Sequence, residues 1–165
     1  MLLLAQFVCG WPSIQVRSAA VVKFQDTHSN TEMSLTPSQF TILQVENNQA
    51  NAELVKQIIT RRVEFKLLTA TDGIQGIEMA RRFQPSLILM DFMMPQMNGI
   101  EALTLLSECT ETSHIPVIVL SSNAFSGIQE KSLAAGAFAF LTKPYKIDDL
   151  LASIEAGLKS VTAAR

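Results

Sequence analysis

Charge, cysteine and long apolar runs are all scarce in this chain, and each shortage closes off a class of function. Only 17% of the residues are charged and the formal net charge is −2. Lysines and arginines stand singly or in pairs such as Arg61-Arg62 and Arg81-Arg82, so there is no basic stripe for nucleic acid and none is expected as a partner. The two cysteines, Cys9 and Cys109, lack CxxC spacing, which argues against a zinc site or a disulfide framework and fits a reducing cytoplasm. The apolar start, Met1 to Cys9, is too short to span a bilayer, and no Lys or Arg precedes it, the first being Arg17. It reads as an extension rather than an export signal, and no membrane association is expected. A Gly-x-Ser-x-Gly motif is also missing, which removes one signature of a serine hydrolase.

What the chain does have is apolar residues, 48% of the total, enough for one core in a chain of 165 residues. From Gln25 to Gln39 the sequence is rich in Ser, Thr, Asn and Asp and contains Pro37, the composition of a linker. Residues 1–39 are therefore read as an N-terminal extension and polar linker, 40–160 as the domain, and 161–165 as a tail. Within the domain, short apolar runs alternate with segments of helical period. Thr41 to Val45, Phe65 to Ala70, Ser86 to Met90, Val117 to Leu120 and Phe138 to Thr142 read as strands. Between them, Val55, Ile58 and Ile59 mark one helical face, Ile77, Met79 and Ala80 a second, and Ala102, Leu105 and Leu106 a third. Leu150, Leu151, Ile154 and Leu158 mark the last, and Ser126 to Ala135 is the weakest helix, with little beyond Ile128 and Leu133 to bury. Regular alternation implies right-handed crossovers and a doubly wound α/β fold, a five-stranded parallel sheet with helices on both faces. A central strand as apolar as Leu87-Ile88-Leu89-Met90 agrees with burial from both sides.

In such a sheet the carboxyl ends of the strands share one edge, where ligands bind. The first strand ends in Glu46-Asn47-Asn48, the third in Asp91, the fourth in Ser121-Ser122-Asn123 and the fifth in Lys143-Pro144. Taken singly, these are ordinary turn and cap residues. Together they gather oxygen ligands, one central carboxylate, a hydroxyl and an ammonium, which is what a hard cation and a phosphoryl group need. Mg²⁺ suits such donors, and phosphoryl transfer asks mainly for positioning and charge neutralisation.

These segments, Ile42-Leu43-Gln44-Val45-Glu46-Asn47-Asn48, Leu89-Met90-Asp91 through Pro95 and on to Asn98-Gly99, Ile115-Pro116-Val117-Ile118-Val119-Leu120-Ser121 and Leu141-Thr142-Lys143-Pro144, resemble the signature of response-regulator receiver domains of two-component signalling. The resemblance spans Phe40 to Ser160. It implies a flavodoxin-like strand order of 2-1-3-4-5, with Asp91 as phosphoacceptor, Ser121 as switch hydroxyl, Lys143 as phosphate partner and Phe140 as the aromatic switch position. It further implies Mg²⁺ held by Glu46, Asn47, Asp91 and the backbone carbonyl of Met93, a cis Lys143-Pro144 bond, and a phosphate lifetime set partly by Met93 and Asn123. The implied donor is a histidine kinase or histidine phosphotransfer protein, and the output a downstream protein target. The resemblance makes the chain a signalling domain rather than an enzyme with a separate substrate.

One departure stands out. The family usually has two adjacent acidic residues after the first strand, the second a direct metal ligand, where this chain has Glu46 followed by Asn47. Weak Mg²⁺ binding is therefore expected. The same departure keeps open a receiver-like interaction module with little phosphorylation. A phosphatase of the haloacid-dehalogenase type would need a second Asp two positions after the first, where this chain has Met93. His114 is expected in a surface turn and His28 in the linker, and neither suggests catalysis.

Overall fold

The computed structural model describes residues 40–123 and 126–163, so the readings of the extension and linker, Cys9 and His28 included, lie outside the described residues. The domain alternates strand and helix: β1 (Phe40–Val45), α1 (Gln49–Ile59), β2 (Phe65–Ala70), α2 (Gly73–Phe83), β3 (Leu87–Asp91), α3 (Gly99–Glu108), β4 (Val117–Ser121), α4 (Ser126–Ala134), β5 (Ala139–Thr142) and α5 (Ile147–Ala163). The strands form one parallel sheet in the order β2-β1-β3-β4-β5, the order that the family resemblance implies. The order reverses between β1 and β3, and there the carboxyl ends open a crevice.

Successive side chains of a strand point to opposite faces, and here that alternation sorts the core into two layers. Leu43, Val45, Ile88, Met90, Val117 and Val119 pack with Ala80 of α2 and Ala102, Leu103 and Leu106 of α3. Ile42, Leu87, Leu89, Ile118 and Leu120 pack with Val55, Ile58 and Ile59 of α1 and Leu150, Ile154 and Leu158 of α5. Both faces of β3 are thus covered, which is why its run is continuously apolar rather than alternating.

The helix boundaries follow from their caps. Asn48 caps α1 by accepting from the N–H groups of Ala50 and Asn51, and Asp72 caps α2 by accepting from Gln75. Asn98 and Glu101 form a reciprocal capping box at the start of α3. Three details differ from the sequence reading. The buried face of α3 carries Leu103 while Leu105 is 39% exposed, because Leu103 lies on the sheet-facing stripe with Ala102 and Leu106. On α2 it is Gly73, Gly76 and Ala80 that are buried, with Ile77 and Met79 only partly so. Gly76 permits this close approach, since a Cβ there would lie 2.8 Å from a Val45 methyl. Finally, α5 continues past Ser160 to Ala163. Among the described residues no helix is long and apolar enough to cross a membrane.

Candidate functional site

Pairing continues one residue past the ends of β1, β3 and β5. Glu46 N–H donates to the Ala70 carbonyl at 3.0 Å, Phe92 N–H to Leu120 at 2.8 Å and Lys143 N–H to Ser121 at 2.7 Å. Strand alternation therefore extends to the rim, and it places Glu46, Asp91 and Lys143 on the side of α1 and α5. Ser121 and Phe140 fall on the opposite side, where Phe140 packs against the α2 and α3 layer. The register pairs Val45 with Met90, so Glu46 stands beside Asp91 at the reversal point of the strand order.

These three side chains form one charged cluster. Lys143 Nζ donates to Glu46 Oε2 at 2.6 Å and to Asp91 Oδ1 at 2.8 Å. Side-chain exposure is 3% for Glu46, 6% for Asp91 and 13% for Lys143, so little water is left to screen them. The free oxygen of Glu46 is engaged as well, accepting from Asn48 N–H at 3.0 Å. Burial raises the Asp91 carboxyl above its ordinary value of 3.8, the hydrogen bond and charge of Lys143 oppose that rise, the nearby Glu46 charge adds to it, and the Met93 N–H opposes it slightly. Lys143 is raised above 10.5 although burial alone would lower it, because hydrogen bonds and charges from both carboxylates hold its proton. The asymmetry has a simple cause: one ammonium serves two acids. Tyr145 lies close enough to feel all three charges, and its phenol is raised above 10.0, chiefly by burial.

The other sequence candidates are arranged around this cluster. Ser121 is fully buried, and its hydroxyl is turned to the backbone of Asn123, accepting from the N–H at 3.0 Å and donating to the carbonyl at 3.3 Å. It is not engaged with Asp91, contrary to a simple picture in which every strand-end group meets at one point. Asn47 is exposed in the turn between Glu46 and the α1 cap and takes no part in the Lys143 bridge. Met93 is 60% exposed, while its backbone N–H points at the Asp91 carboxylate. The Lys143-Pro144 bond is cis. Asp72 is committed to its cap, and His114 is exposed in its turn.

Two residues to which the sequence reading gave no role position this rim. At Gly99 a Cβ would meet the Asp91 carbonyl at 2.7 Å and Phe92 Cα at 2.9 Å, so only glycine lets α3 start this close to β3. Gln96, in the loop between them, holds a left-handed φ of 68°. Glycine frequency alone does not reveal such close approaches, but Asn98-Gly99 just after a strand is a visible sign of a helix start.

The donor set fits a hard cation in kind: the Glu46 and Asp91 carboxylates, the Asn47 amide oxygen and the Met93 carbonyl are all oxygen ligands. It is poor in charge, since among the described residues no group of three or more His, Cys, Asp or Glu gathers at one place.

Comparison with known proteins gives the family and agrees with the fold. The sequence model of the response regulator receiver domain matches residues 42–155. The polar-differentiation response regulator DivK of Brucella anthropi is 29% identical over 117 residues, covering 71% of this chain and 94% of that protein. Among solved structures, the receiver domain of a sensor histidine kinase from Pseudomonas aeruginosa, with a magnesium ion coordinated in its active site cleft, is 28% identical with a TM-score of 0.68, over 73% of this chain and 98% of that one. The response regulator domain of Thermotoga maritima CheB is also 28% identical, with a TM-score of 0.66, over 73% and 97% of the two chains.

Proposed function

Because the chain belongs to the response regulator receiver domain family, whose members are phosphoacceptors in two-component signalling, we propose that Asp91 is the residue that takes the phosphoryl group. The observation that carries this reading is the Lys143 ammonium held 2.8 Å from Asp91 Oδ1 at the strand-order reversal, in a buried rim. An Asp91 carboxylate oxygen attacks phosphorus and forms an acyl phosphate as the bond to the donor's histidine nitrogen, or to acetate in acetyl phosphate, breaks. Lys143 neutralises charge on the transferred oxygens, and preorganised charge of this kind is the main protein contribution to phosphoryl transfer. The reaction is self-catalysed and has no further substrate.

Mg²⁺, when bound, supplies the additional positive charge. Glu46, Asn47, Asp91 and the Met93 carbonyl are the residues that would hold it, weakly because Asn47 is neutral. Ser121 is the switch hydroxyl: it leaves Asn123 for a phosphoryl oxygen, and Phe140, on the same side of the sheet, follows it inward. That movement reshapes the surface of α4 and β5 for a downstream protein. The donor is a histidine kinase or a histidine phosphotransfer protein, in the cytoplasm.

Incubation with acetyl phosphate and Mg²⁺ followed by amide NMR tests the reading. Phosphorylated protein should show shifts clustered at Ser121, α4, Phe140 and Lys143. Uptake of phosphate with an unchanged spectrum there refutes the switch. No uptake at saturating Mg²⁺ leaves an interaction module instead.

A further inference from the structure

Gln44 is out of place in the core. It stands on β1 between Thr69 of β2 and Leu89 of β3, on the face shared with Ile42 and Glu46, and is 1% exposed. Neither its amide oxygen nor its amide nitrogen has a hydrogen-bond partner among the described residues. Buried polar groups are nearly always paired, and an unpaired one destabilises the state that contains it. An apolar side chain of the same volume would serve the resting fold better.

Two residues further on, Glu46 has a different problem. One of its oxygens is held by Asn48 N–H at 3.0 Å, and the other depends on Lys143 at 2.6 Å. Lys143 is shared with Asp91. An aspartyl phosphate brings about −1.5 to −2 charges and three strong acceptor oxygens, and so competes for that single ammonium. Glu46, with 3% side-chain exposure, cannot turn to bulk water for a replacement. A Mg²⁺ on Glu46 would occupy one of the roughly four acceptor sites of its carboxylate and leave the others open to a further donor.

Side chains at i and i+2 of a strand share a face about 6.6 Å apart along the chain, a span two long side chains cross by leaning together. We propose that Gln44 is a positioning residue for the phosphorylated state: its amide N–H donates to the Glu46 carboxylate as Lys143 turns to the phosphoryl group. The inference rests on the reading of Asp91 as phosphoacceptor. Its consequence is a bias. Gln44 is unpaired at rest and paired after phosphorylation, so it lowers the free-energy gap between the two states.

The test uses the full chain with Mg²⁺ and beryllium fluoride as a phosphoryl mimic. Gln44→Met removes the amide at similar volume. The variant should melt at a higher temperature than the parent when unliganded, yet bind beryllium fluoride about tenfold to a hundredfold more weakly, the span given by loss of a hydrogen bond to a charged group. Gln44→Leu should behave alike, which guards against a packing artefact of one side chain. In a Glu46→Gln background the effect of Gln44→Met on binding should shrink several-fold, since the cycle removes the charged acceptor. In the parent, the Gln44 side-chain amide signals should move on addition of the mimic. Binding by both Gln44 variants within about threefold of the parent overturns the inference. A parent chain that binds no beryllium fluoride overturns the Asp91 reading itself, and this inference with it.

Discussion

Replacing Lys143 with methionine removes the ammonium that bridges two buried carboxylates while keeping most of the side-chain volume. In the parent the ammonium lies 2.6 Å from Glu46 and 2.8 Å from Asp91, whose side chains are 3% and 6% exposed. Breaking a buried pair by deleting one partner costs about 3–5 kcal/mol, because the remaining charge keeps its desolvation penalty. Here two like charges remain, so the upper part of that range applies at neutral pH. Proton uptake by Asp91 relieves the strain, and burial has already raised that carboxyl above 3.8. A carboxyl raised in the folded state favours folding where it is protonated, and that contribution is lost as pH rises through its folded value. The variant should therefore be least affected in mild acid and most affected at neutral pH. The parent has a second dependence at the other end. Lys143 is raised above 10.5, so its stabilisation is complete below that pH and lost as pH climbs through the higher folded value. Urea unfolding at about pH 5, 7 and 11 measures all of this. A loss below about 1 kcal/mol at pH 7 refutes the reasoning, since it means that the bridge is worth no more than an exposed pair.

Restoring the acid with Asn47→Asp should tighten Mg²⁺ binding, measured by titration calorimetry; equal or weaker binding would show that the neutral amide does not weaken the site. Met93→Asn should speed decay of the aspartyl phosphate, because the exposed thioether offers no hydrogen bond to hold an attacking water, and radiolabel loss in excess Mg²⁺ measures it. Gln96→Gly should raise stability by roughly 0.5–1 kcal/mol in urea melts, because glycine adopts the φ of 68° without the left-handed penalty; unchanged or lower stability rejects strain in that loop.

The central place of β3 and the gathering of Glu46, Asp91 and Lys143 at one rim were legible from the residues themselves, whereas the strand order 2-1-3-4-5 came from the family resemblance. The β3 run Leu87-Ile88-Leu89-Met90 is too apolar for a surface strand, and parallel strands send their carboxyl-end residues to one rim. Side was harder to read than proximity. Ser121 and Lys143 both close a strand, yet alternation sets Ser121 on the face of Phe140, so at rest its hydroxyl binds Asn123 rather than Asp91. The α3 face was misread at Leu105 because Leu103, Leu105 and Leu106 are all leucines, and hydropathy alone does not say which of them the sheet covers. Gln44 was visible as the single polar residue in Ile42-Leu43-Gln44-Val45, but a strand covered on both faces gives a polar side chain no solvated side, and only coordinates show it unpaired.

The central claim is that one carboxylate, Asp91, receives the phosphoryl group. Intact-mass spectrometry of the parent and of Asp91→Asn after incubation with acetyl phosphate and Mg²⁺ tests it most directly. The parent should gain the mass of a single phosphoryl group, lost again under mild alkali as acyl phosphates are, while Asp91→Asn gains none. Equal phosphorylation of the two proteins would contradict the account.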